Sequence, residues 1–268
     1  MNHKAQKTYL GVDVGNTHTV LGLFQGPKIK ASWRIATRPD ITADELAAAI
    51  IPLLNDKGCS LSQVDDLILS CVVPPLTSIY KKFCQQYLHS NALIIEGSNR
   101  LGMPILYKRP YEVGADRLVN SIAAYELFPT PLIVIDFGTA VTFDCVSGDG
   151  EYLGGAIAPG PMISAETLFK KTAKLPLVDL FTPPDSILAQ DTVSAIKTGI
   201  IYGFAGLTDR IIQCLSTEFP GKPMAVATGG LAEIIAPFSE QIERVIPDLT
   251  LRGLAIVYER LTKGSGSS

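Results

Sequence analysis

The stretch LGVDVGNTHTVLGLF, residues 10–24, has a close counterpart in LIVIDFGTAVTFDCV, residues 132–146. Each copy is an apolar strand followed by Asp-x-Gly, a small polar residue and a second run rich in β-forming residues. Asp136 in the second copy stands 123 residues after Asp13 in the first, which is close to half of the 268-residue chain. Solenoid proteins repeat roughly every 20–50 residues, so this spacing predicts two related domains instead.

The segments around the repeat alternate between strand-like and helical patterns. A helix opens with the capping box Thr42-x-x-Glu45, and Pro52 should kink or end it. The predicted strands cover residues 8–14, 19–24, 28–35, 67–73, 92–96, 132–135, 140–146, 151–157, 223–227 and 243–246. The predicted helices cover about residues 42–51, 76–88, 115–128, 192–219 and 251–261, and another opens near Leu231. This order predicts an α/β protein in which each domain is a mixed sheet flanked by helices.

The repeat also suggests where the domains divide. We expect the first domain at residues 1–128, the second at residues 129–262, and a flexible tail at residues 263–268.

Composition narrows the functional classes. The chain is 47% hydrophobic and 18% charged, which is typical of a folded globular protein. Its formal net charge is −3 and its bases do not cluster, so a broad nucleic-acid-binding face is not expected. No apolar run approaches the roughly 18–20 residues of a membrane-spanning helix, and the polar N-terminus is unlike a secretory signal peptide. Five scattered cysteines indicate reduced thiols, so we expect a cytoplasmic protein with no nucleic-acid or membrane partner.

Several common site patterns are missing from the sequence. No G-x-x-x-x-G-K-[ST] occurs, because Gly221-Lys222 is followed by Pro223, and this disfavours a P-loop kinase. No G-x-G-x-x-G marks a dinucleotide site. With only three histidines, a histidine metal cluster or a serine–histidine triad is also disfavoured.

The first Asp-x-Gly turn has the composition of a phosphate-binding loop. Gly15 permits a tight turn and the close approach of a ligand. Backbone N–H groups there could bind phosphate oxygens together with the side chains of Asn16 and Thr17. Asp13 would repel a phosphate unless a divalent cation or its waters lay beside it. The structural alternative is a plain hairpin in which Asp13 caps the turn.

Three later motifs extend this interpretation. Asp136-Phe-Gly-Thr139 repeats the turn, and two such turns facing each other could hold a polyphosphate between the domains. Thr228-Gly-Gly230 joins a strand to a helix and leaves room for a ribose or a ring, although Gly-Gly turns are common. Gly154-Gly-Ala-Ile-Ala-Pro-Gly160 ends a strand and leads into a helix whose start Pro159 should fix, and a purely structural turn is equally consistent with it.

An acidic residue opens the predicted helix 115–128, in the sequence Gly114-Ala-Asp116-Arg117. The structural interpretation is an acid that complements the helix dipole, with Arg117 as a solvated neighbour. The functional interpretation is a carboxylate that accepts the proton of a substrate hydroxyl during phosphoryl transfer. The spacing alone favours the structural interpretation and leaves the other open.

Taken together, these motifs resemble a known family. Two Asp-x-Gly hairpin turns and a late Thr-Gly-Gly are similar to the ATPase superfamily of acetate and sugar kinases, heat-shock protein 70 and actin. More specifically, the chain resembles the type III pantothenate kinases from about residue 8 to residue 262. The pieces that carry this resemblance are Asp13-Val-Gly-Asn-Thr17, Gly114-Ala-Asp-Arg117, Asp136-Phe-Gly-Thr139, Gly154-Gly-Ala-Ile-Ala-Pro-Gly160 and Thr228-Gly-Gly230. The resemblance implies two tandem actin-like (ribonuclease H-like) domains and the ATP-dependent phosphorylation of pantothenate at its 4′-hydroxyl, the first step of coenzyme A biosynthesis.

The resemblance also implies roles for individual residues. Asp116 would be the catalytic proton acceptor, and Asp136 would bind a monovalent cation, potassium or ammonium. The implied pantothenate contacts are Tyr107, Gly114, Ala115, Asp116, Arg117 and Thr192. The implied ATP contacts are Asp13, Val14, Gly15, Asn16, Thr17, His18, Thr19, Val20 and Thr139. Tyr107 could instead be a half-buried strand residue, and Thr192 could simply belong to a helix N-terminus that Asp191 caps equally well.

The resemblance finally implies Mg²⁺ as a cofactor and a homodimer with substrate pockets at or near the interface. Two alternatives stay open at this point. The chain could phosphorylate another small hydroxylated acceptor, or it could be a non-catalytic regulatory protein on the same fold.

Overall fold

The computed structural model describes residues 6–96 and 101–263, which form two compact units. The first unit holds the residues up to Ala123 together with those from Thr250 onward, and the second holds Ala124–Leu249. Each unit contains one five-stranded mixed sheet. This confirms the predicted α/β class, with a mixed sheet and helices in each half.

The sheet of the first unit carries the first Asp-x-Gly turn. Its strands are β1 (Thr8–Val14), β2 (His18–Gln25), β3 (Lys28–Ala36), β4 (Asp66–Cys71) and β5 (Leu93–Ile94). The helices that follow these strands are α1 (Ala43–Asp56), α2 (Pro74–Phe83) and α3 (Ala115–Leu127). The strand order is β3-β2-β1-β4-β5, with β1 antiparallel to β2 and parallel to β4. Apolar side chains on one sheet face, including Leu10 and Val12, form a core with Leu46 and Ile50 of α1 and Tyr80 of α2.

The second unit repeats this arrangement. Its strands are β6 (Leu132–Phe137), β7 (Ala140–Val146), β8 (Tyr152–Pro159), β9 (Met224–Thr228) and β10 (Arg244–Val245). Its helices are α4 (Pro161–Lys171), α5 (Thr192–Ser216) and α6 (Ala232–Ile235), and the chain continues into α7 (Leu249–Lys263). The order β8-β7-β6-β9-β10 matches that of the first sheet strand for strand. The sequence repeat is therefore a repeat of topology, with Asp13 and Asp136 each near the end of the central strand.

The last helix packs on the first unit, although the sequence analysis assigned it to the second domain. Tyr258 of α7 stacks on Tyr9 of β1 with ring centroids 3.7 Å apart. Two glycines make room for this layer, since a Cβ on Gly11 or Gly22 would lie 2.7 or 2.6 Å from the ring of Phe24. The C-terminal helix therefore belongs to the first compact unit, and the division at residue 128 into separate domains stays a prediction.

Pro52 does not end its helix, and Pro159 does not begin one. α1 continues past Pro52 to Asp56, because buried Leu54 holds its last turn in the core. Pro159 does not start a helix, since it is the last residue of β8. α4 begins instead with Pro161 in its first turn, after Gly160 at the N-cap position.

Of the predicted flexible tail, Lys263 ends α7, and residues 264–268 lie outside the described part of the chain. Within the described residues, the helices are all too short or too polar to span a bilayer.

Candidate active site

Asp13 is held between two neighbouring strands of the first sheet. It pairs with Val20 of β2 on one side and with Ser70 of β4 on the other, so the three side chains project from the same face. The Ser70 side chain is fully buried, and its hydroxyl donates a hydrogen bond to Asp13 Oδ1 at 2.8 Å. The carboxylate is therefore fixed in orientation by a residue 57 positions away in the chain.

The turn after Asp13 is closed by its own backbone and by the end of β3. The Gly15 N–H donates to the carbonyl oxygen of His18 at 3.0 Å. The Thr37 hydroxyl donates to the carbonyl oxygen of Gly15 at 2.7 Å, and the Thr37 N–H donates to that of Thr17 at 2.9 Å. The side chains of Asn16, Thr17 and His18 remain exposed at the tip of this fixed turn. A rigid, exposed turn of this kind suits the binding of an anion by side chains and backbone N–H groups.

Asp116 lies in the first turn of α3, where the backbone of the following residue holds it. Its Oδ1 accepts a hydrogen bond from the Arg117 N–H at 2.8 Å. A Cβ at Gly114 would lie 2.5 Å from that oxygen, so any larger residue there would displace the carboxylate. Ala115 and the Arg117 side chain are both buried, with exposures of 8%. The motif Gly114–Arg117 is thus a compact local structure that presents one carboxylate.

Asp13 and Asp116 belong to the same unit and act on each other electrostatically. Burial raises the pKa of Asp13 to about 7, with a further contribution from the Asp116 charge. The Ser70 hydrogen bond and the Arg34 charge act in the opposite direction and offset this only in part. Burial likewise raises the pKa of Asp116, against the Arg117 backbone N–H and the Arg117 charge. The first unit therefore presents two carboxylates that protonate more readily than ordinary aspartates do.

The second unit brings three separated motifs to one place. Asp136 is paired in register with Thr228 of β9, which is the position that Ser70 holds beside Asp13. Gly229 has a φ of +94°, and a Cβ there would lie 2.3 Å from Asp136 Oδ1 and 2.6 Å from the Phe137 nitrogen. Only glycine permits this close approach of the Thr228-Gly229 backbone to the aspartate.

A second glycine packs against the turn that follows Asp136. The Gly160 N–H donates to the carbonyl oxygen of Thr139 at 3.1 Å. A Cβ at Gly160 would lie 2.2 Å from that oxygen and 2.6 Å from the carbonyl oxygen of Gly138. The turn itself is closed by the Gly138 N–H, which donates to the carbonyl oxygen of Ala140 at 3.1 Å. The motifs that begin at Asp136, Gly154 and Thr228 therefore form one backbone-lined site in the second unit.

Comparison with known proteins identifies the family. The sequence profile described as type III pantothenate kinase matches residues 9–214. The type III pantothenate kinase of Desulfatibacillum aliphaticivorans is 46% identical over 253 residues, which cover 94% of this chain and 98% of that protein. This chain belongs to the type III pantothenate kinase family. The family resemblance and the enzyme class that the motifs predict, a kinase that uses ATP, are confirmed.

Solved structures support the fold independently. The (R)-2-hydroxyglutaryl-CoA dehydratase component A of Acidaminococcus fermentans aligns with a TM-score of 0.57 at 16% identity, covering 96% of this chain and 99% of that chain. The ROK hexokinase of Thermus thermophilus aligns with a TM-score of 0.51 at 13% identity, covering 96% and 100%. At these identities the likeness concerns the fold alone, and it confirms the predicted actin-like fold, with two mixed sheets flanked by helices.

The remaining positions that the family resemblance points to lie in varied settings. Val14, Thr19 and Val20 are strand residues of the first hairpin, and Val14 and Thr19 are buried. Tyr107 lies partly buried in an irregular segment before α3, so it is not a strand residue. Thr192 is the exposed first residue of α5, and Asp191 caps that helix by accepting the Ser194 N–H at 2.9 Å.

Sequence reasoning missed three residues of the first unit that contact or influence the predicted site. Ser70 orients Asp13, Thr37 holds the first turn, and Arg34 acts on the charge of Asp13. All three come from strands β3 and β4 or their ends, and none belongs to a motif that the sequence repeats. The hairpin pairing of β2 with β3 and the parallel pairing of β1 with β4 are the signals that could have found them.

The donors in the two units differ. Asp13 and Asp116 are carboxylates whose charges disfavour each other, and Mg²⁺ is typically held by one or two carboxylates together with substrate phosphates and waters. In the second unit the residues are one carboxylate, Asp136, with Thr228 as its neighbour in register and the Gly229 backbone packed close to it. A carboxylate oxygen is a ligand that suits hard cations. Among the described residues, no cluster of three or more His, Cys, Asp or Glu side chains forms a metal site of protein ligands alone.

Proposed function

We propose that this chain transfers the γ-phosphoryl group of ATP to the 4′-hydroxyl of pantothenate and releases 4′-phosphopantothenate and ADP. The observation that carries this proposal is that Asp116 lies in the same unit as Asp13, close enough for its charge to raise the pKa of Asp13, within a motif characteristic of the family to which the chain belongs. A hydroxyl acceptor needs a base, and phosphoryl transfer needs its charge neutralised nearby.

Asp116 is the proposed proton acceptor. The Asp116 oxygen that the Arg117 N–H does not bind would accept the proton of the pantothenate 4′-hydroxyl. The hydroxyl oxygen of pantothenate attacks the γ-phosphorus as it loses this proton. A new oxygen–phosphorus bond then forms, the bond from the γ-phosphorus to the bridging oxygen breaks, and ADP leaves with that electron pair. A raised pKa brings the carboxylate closer to the basicity that proton transfer near neutral pH requires.

ATP is proposed to contact residues 13–20 and Thr139. The fixed first turn would supply backbone N–H groups and the side chains of Asn16 and Thr17 to phosphate oxygens. Asp13 would hold Mg²⁺, which supplies charge neutralisation to the phosphates when it is bound. Asp136 would hold potassium or ammonium, with Gly229 permitting the close packing of the backbone around it.

Pantothenate is proposed to contact Gly114–Arg117, Tyr107 and Thr192. The buried Arg117 side chain suits a charge-assisted hydrogen bond to the pantothenate carboxylate, because a buried guanidinium loses little further solvation on binding. Arg117 could also stabilise the motif itself.

A homodimer and a cytoplasmic location complete the proposal. The second unit exposes a run of large apolar side chains between residues 153 and 193, with Ile157 at 65%, Phe181 at 60% and Leu188 at 77% exposure. A second copy of the chain would remove such a surface from water. All five cysteines are free, as a reducing compartment requires. Light scattering on the protein and on a Leu188→Asp variant tests the dimer, and a monomeric wild type contradicts it.

A transfer assay tests the function directly. The protein is incubated with pantothenate, ATP and Mg²⁺, with and without potassium, and 4′-phosphopantothenate is measured by mass spectrometry. Product that requires both metal ions supports the proposal. Nucleotide binding without product indicates a non-catalytic regulatory protein. Phosphorylation of a different compound in a parallel panel of hydroxylated acceptors indicates a kinase for another substrate.

A further inference from the structure

Four residues form one row across the first sheet. Arg34 of β3 pairs with Val20 of β2, Val20 pairs with Asp13 of β1, and Asp13 pairs with Ser70 of β4. Residues paired in register point to the same face of a sheet, so Arg34 and Asp13 face the same side. Their Cα atoms are two strands apart, or about 9–10 Å at the usual strand spacing. Only the short side chain of Val20 lies between them.

The row lies next to the part of the sheet that α7 covers. On the same face, Leu254 and Leu251 of α7 approach the positions of Gly11 and Gly22, which form the next such row. Beyond α7 the face changes from apolar to polar, with Val20 and Asp13 partly exposed and Arg34 exposed. A ligand can therefore reach this row, whereas the rows beneath α7 are closed.

Arg34 carries a charge that no acidic side chain neutralises directly. It forms no ion pair with any described residue, although Arg38, four residues later, pairs with Glu45 at 3.1 Å. Its guanidinium nevertheless acts on Asp13 from two strands away and favours the ionised carboxylate. Arg34 and Asp13 therefore present opposite charges on one accessible face of the sheet, separated by the short side chain of Val20.

We propose that Arg34 is a catalytic residue that binds the γ-phosphoryl group of ATP during its transfer. This inference rests on the proposed function and adds a ligand contact to it. The phosphoryl group would lie between the guanidinium on one side and, on the other, the Mg²⁺ that Asp13 is proposed to hold. A guanidinium presents paired N–H donors that match phosphate oxygens, and its fixed charge offsets the charge that spreads over those oxygens as the bond to ADP breaks.

The proposal predicts that Arg34 contributes to the binding of ATP and not to that of ADP, because only ATP carries the γ-phosphoryl group. We expect Arg34→Gln to weaken binding of a non-hydrolysable ATP analogue by about 10-fold and to leave ADP binding within about 2-fold. We also expect kcat at saturating ATP to fall by about 10²-fold, as on loss of one oriented donor to a transition state. Arg34→Lys should recover part of kcat, since it keeps the charge and loses the paired donors. Calorimetric titration with each nucleotide and steady-state kinetics provide the measurements.

Lys30→Gln is the matched control, because it removes one positive charge from an exposed position of the same strand. It should leave both nucleotide affinities and kcat unchanged. Equal weakening of ATP analogue and ADP in Arg34→Gln, or no change in either, overturns the proposal. If Arg34→Gln loses its fold by circular dichroism, the same comparison is made on Arg34→Lys, where an unaltered kcat overturns it. If the wild-type protein makes no 4′-phosphopantothenate, the proposed function fails, whereas the two nucleotide affinities still report on Arg34.

Discussion

The two hairpins of this protein have the same backbone and different surroundings. In both, an aspartate near the end of the central strand is paired with a hydroxyl residue on the neighbouring parallel strand, Ser70 beside Asp13 and Thr228 beside Asp136. Around Asp13 the neighbours are charged side chains, whereas around Asp136 they are backbone atoms admitted by glycine. The two copies thus share a scaffold and differ in the residues around it: charged side chains in the first, and close backbone packing in the second.

The largest expected effect separates proton transfer from binding in the first unit. Asp116→Asn should lower kcat by about 10²–10⁴-fold, because the amide cannot accept the hydroxyl proton. ATP affinity should stay within about 3-fold, since the nucleotide turn is untouched. Steady-state kinetics and calorimetric titration measure the two. Asp56→Asn, at an exposed acid of α1, is the control, and a kcat within 10-fold of wild type in Asp116→Asn would remove that residue as the base.

The next effect concerns the free energy of unfolding that is lost when the buried Asp13 carboxyl ionises. The pKa of Asp13 rises from 3.8 in the unfolded chain to about 7 in the fold, so the folded state binds more protons between these values. The free energy of unfolding of the ligand-free protein should therefore fall as pH rises from about 4 to about 7, by at most about 4 kcal/mol. Asp13→Asn should remove this contribution and be more stable than wild type at pH 8. Urea unfolding of both proteins at pH 5 and pH 8 measures it, and parallel pH dependences contradict the assignment.

The close backbone packing around Asp136 in the second unit predicts that larger residues at two glycines lower stability. Gly160→Ala and Gly229→Ala each place a Cβ less than 2.5 Å from an oxygen of the Asp136 turn or of Asp136 itself. Each should lower the free energy of unfolding by about 1–3 kcal/mol and raise the potassium concentration needed for half-maximal activity. Gly206→Ala, on α5 with no atom within 4 Å of the new Cβ, should be neutral or stabilising by up to about 1 kcal/mol. Equal effects at all three glycines would show that the packing around Asp136 has no special role.

The smallest effect concerns the hydroxyl residue that lies beside the aspartate in each hairpin, Ser70 or Thr228. Ser70→Ala removes the hydrogen bond to Asp13 Oδ1 and should raise the pKa of Asp13 further. We expect a loss of about 1 kcal/mol in the free energy of unfolding and a higher Mg²⁺ concentration for half-maximal activity, because a less oriented and more readily protonated Asp13 would bind Mg²⁺ less tightly. Thr228→Val is the matched change in the second unit, and it should alter the potassium dependence instead. If both variants shift the same ion dependence, the proposed division of labour between the hairpins is wrong.

The sequence predicted the local elements and the motifs well, because these depend on neighbouring residues. The strand 8–14 was predictable from its apolar run before Asp-x-Gly, and the Thr42–Glu45 capping box from the spacing of its polar residues. Ser70, Thr37 and Arg34 were not, because their relation to Asp13 depends on strand pairing across many residues. Pro161 rather than Pro159 begins α4 because the pairing of β7 with β8 extends β8 through Pro159.

The position of α7 has a consequence for biosynthesis. The unit that holds Asp13 and Asp116 also requires the residues from Thr250 onward, whose Tyr258 stacks on Tyr9. During translation, the first sheet leaves the ribosome early and must wait for the last helix before that face is closed. A nascent chain that has not yet reached α7 therefore keeps the apolar surface of β1 and β2 open, and a premature stop codon anywhere before this helix would remove part of the first unit rather than a dispensable end.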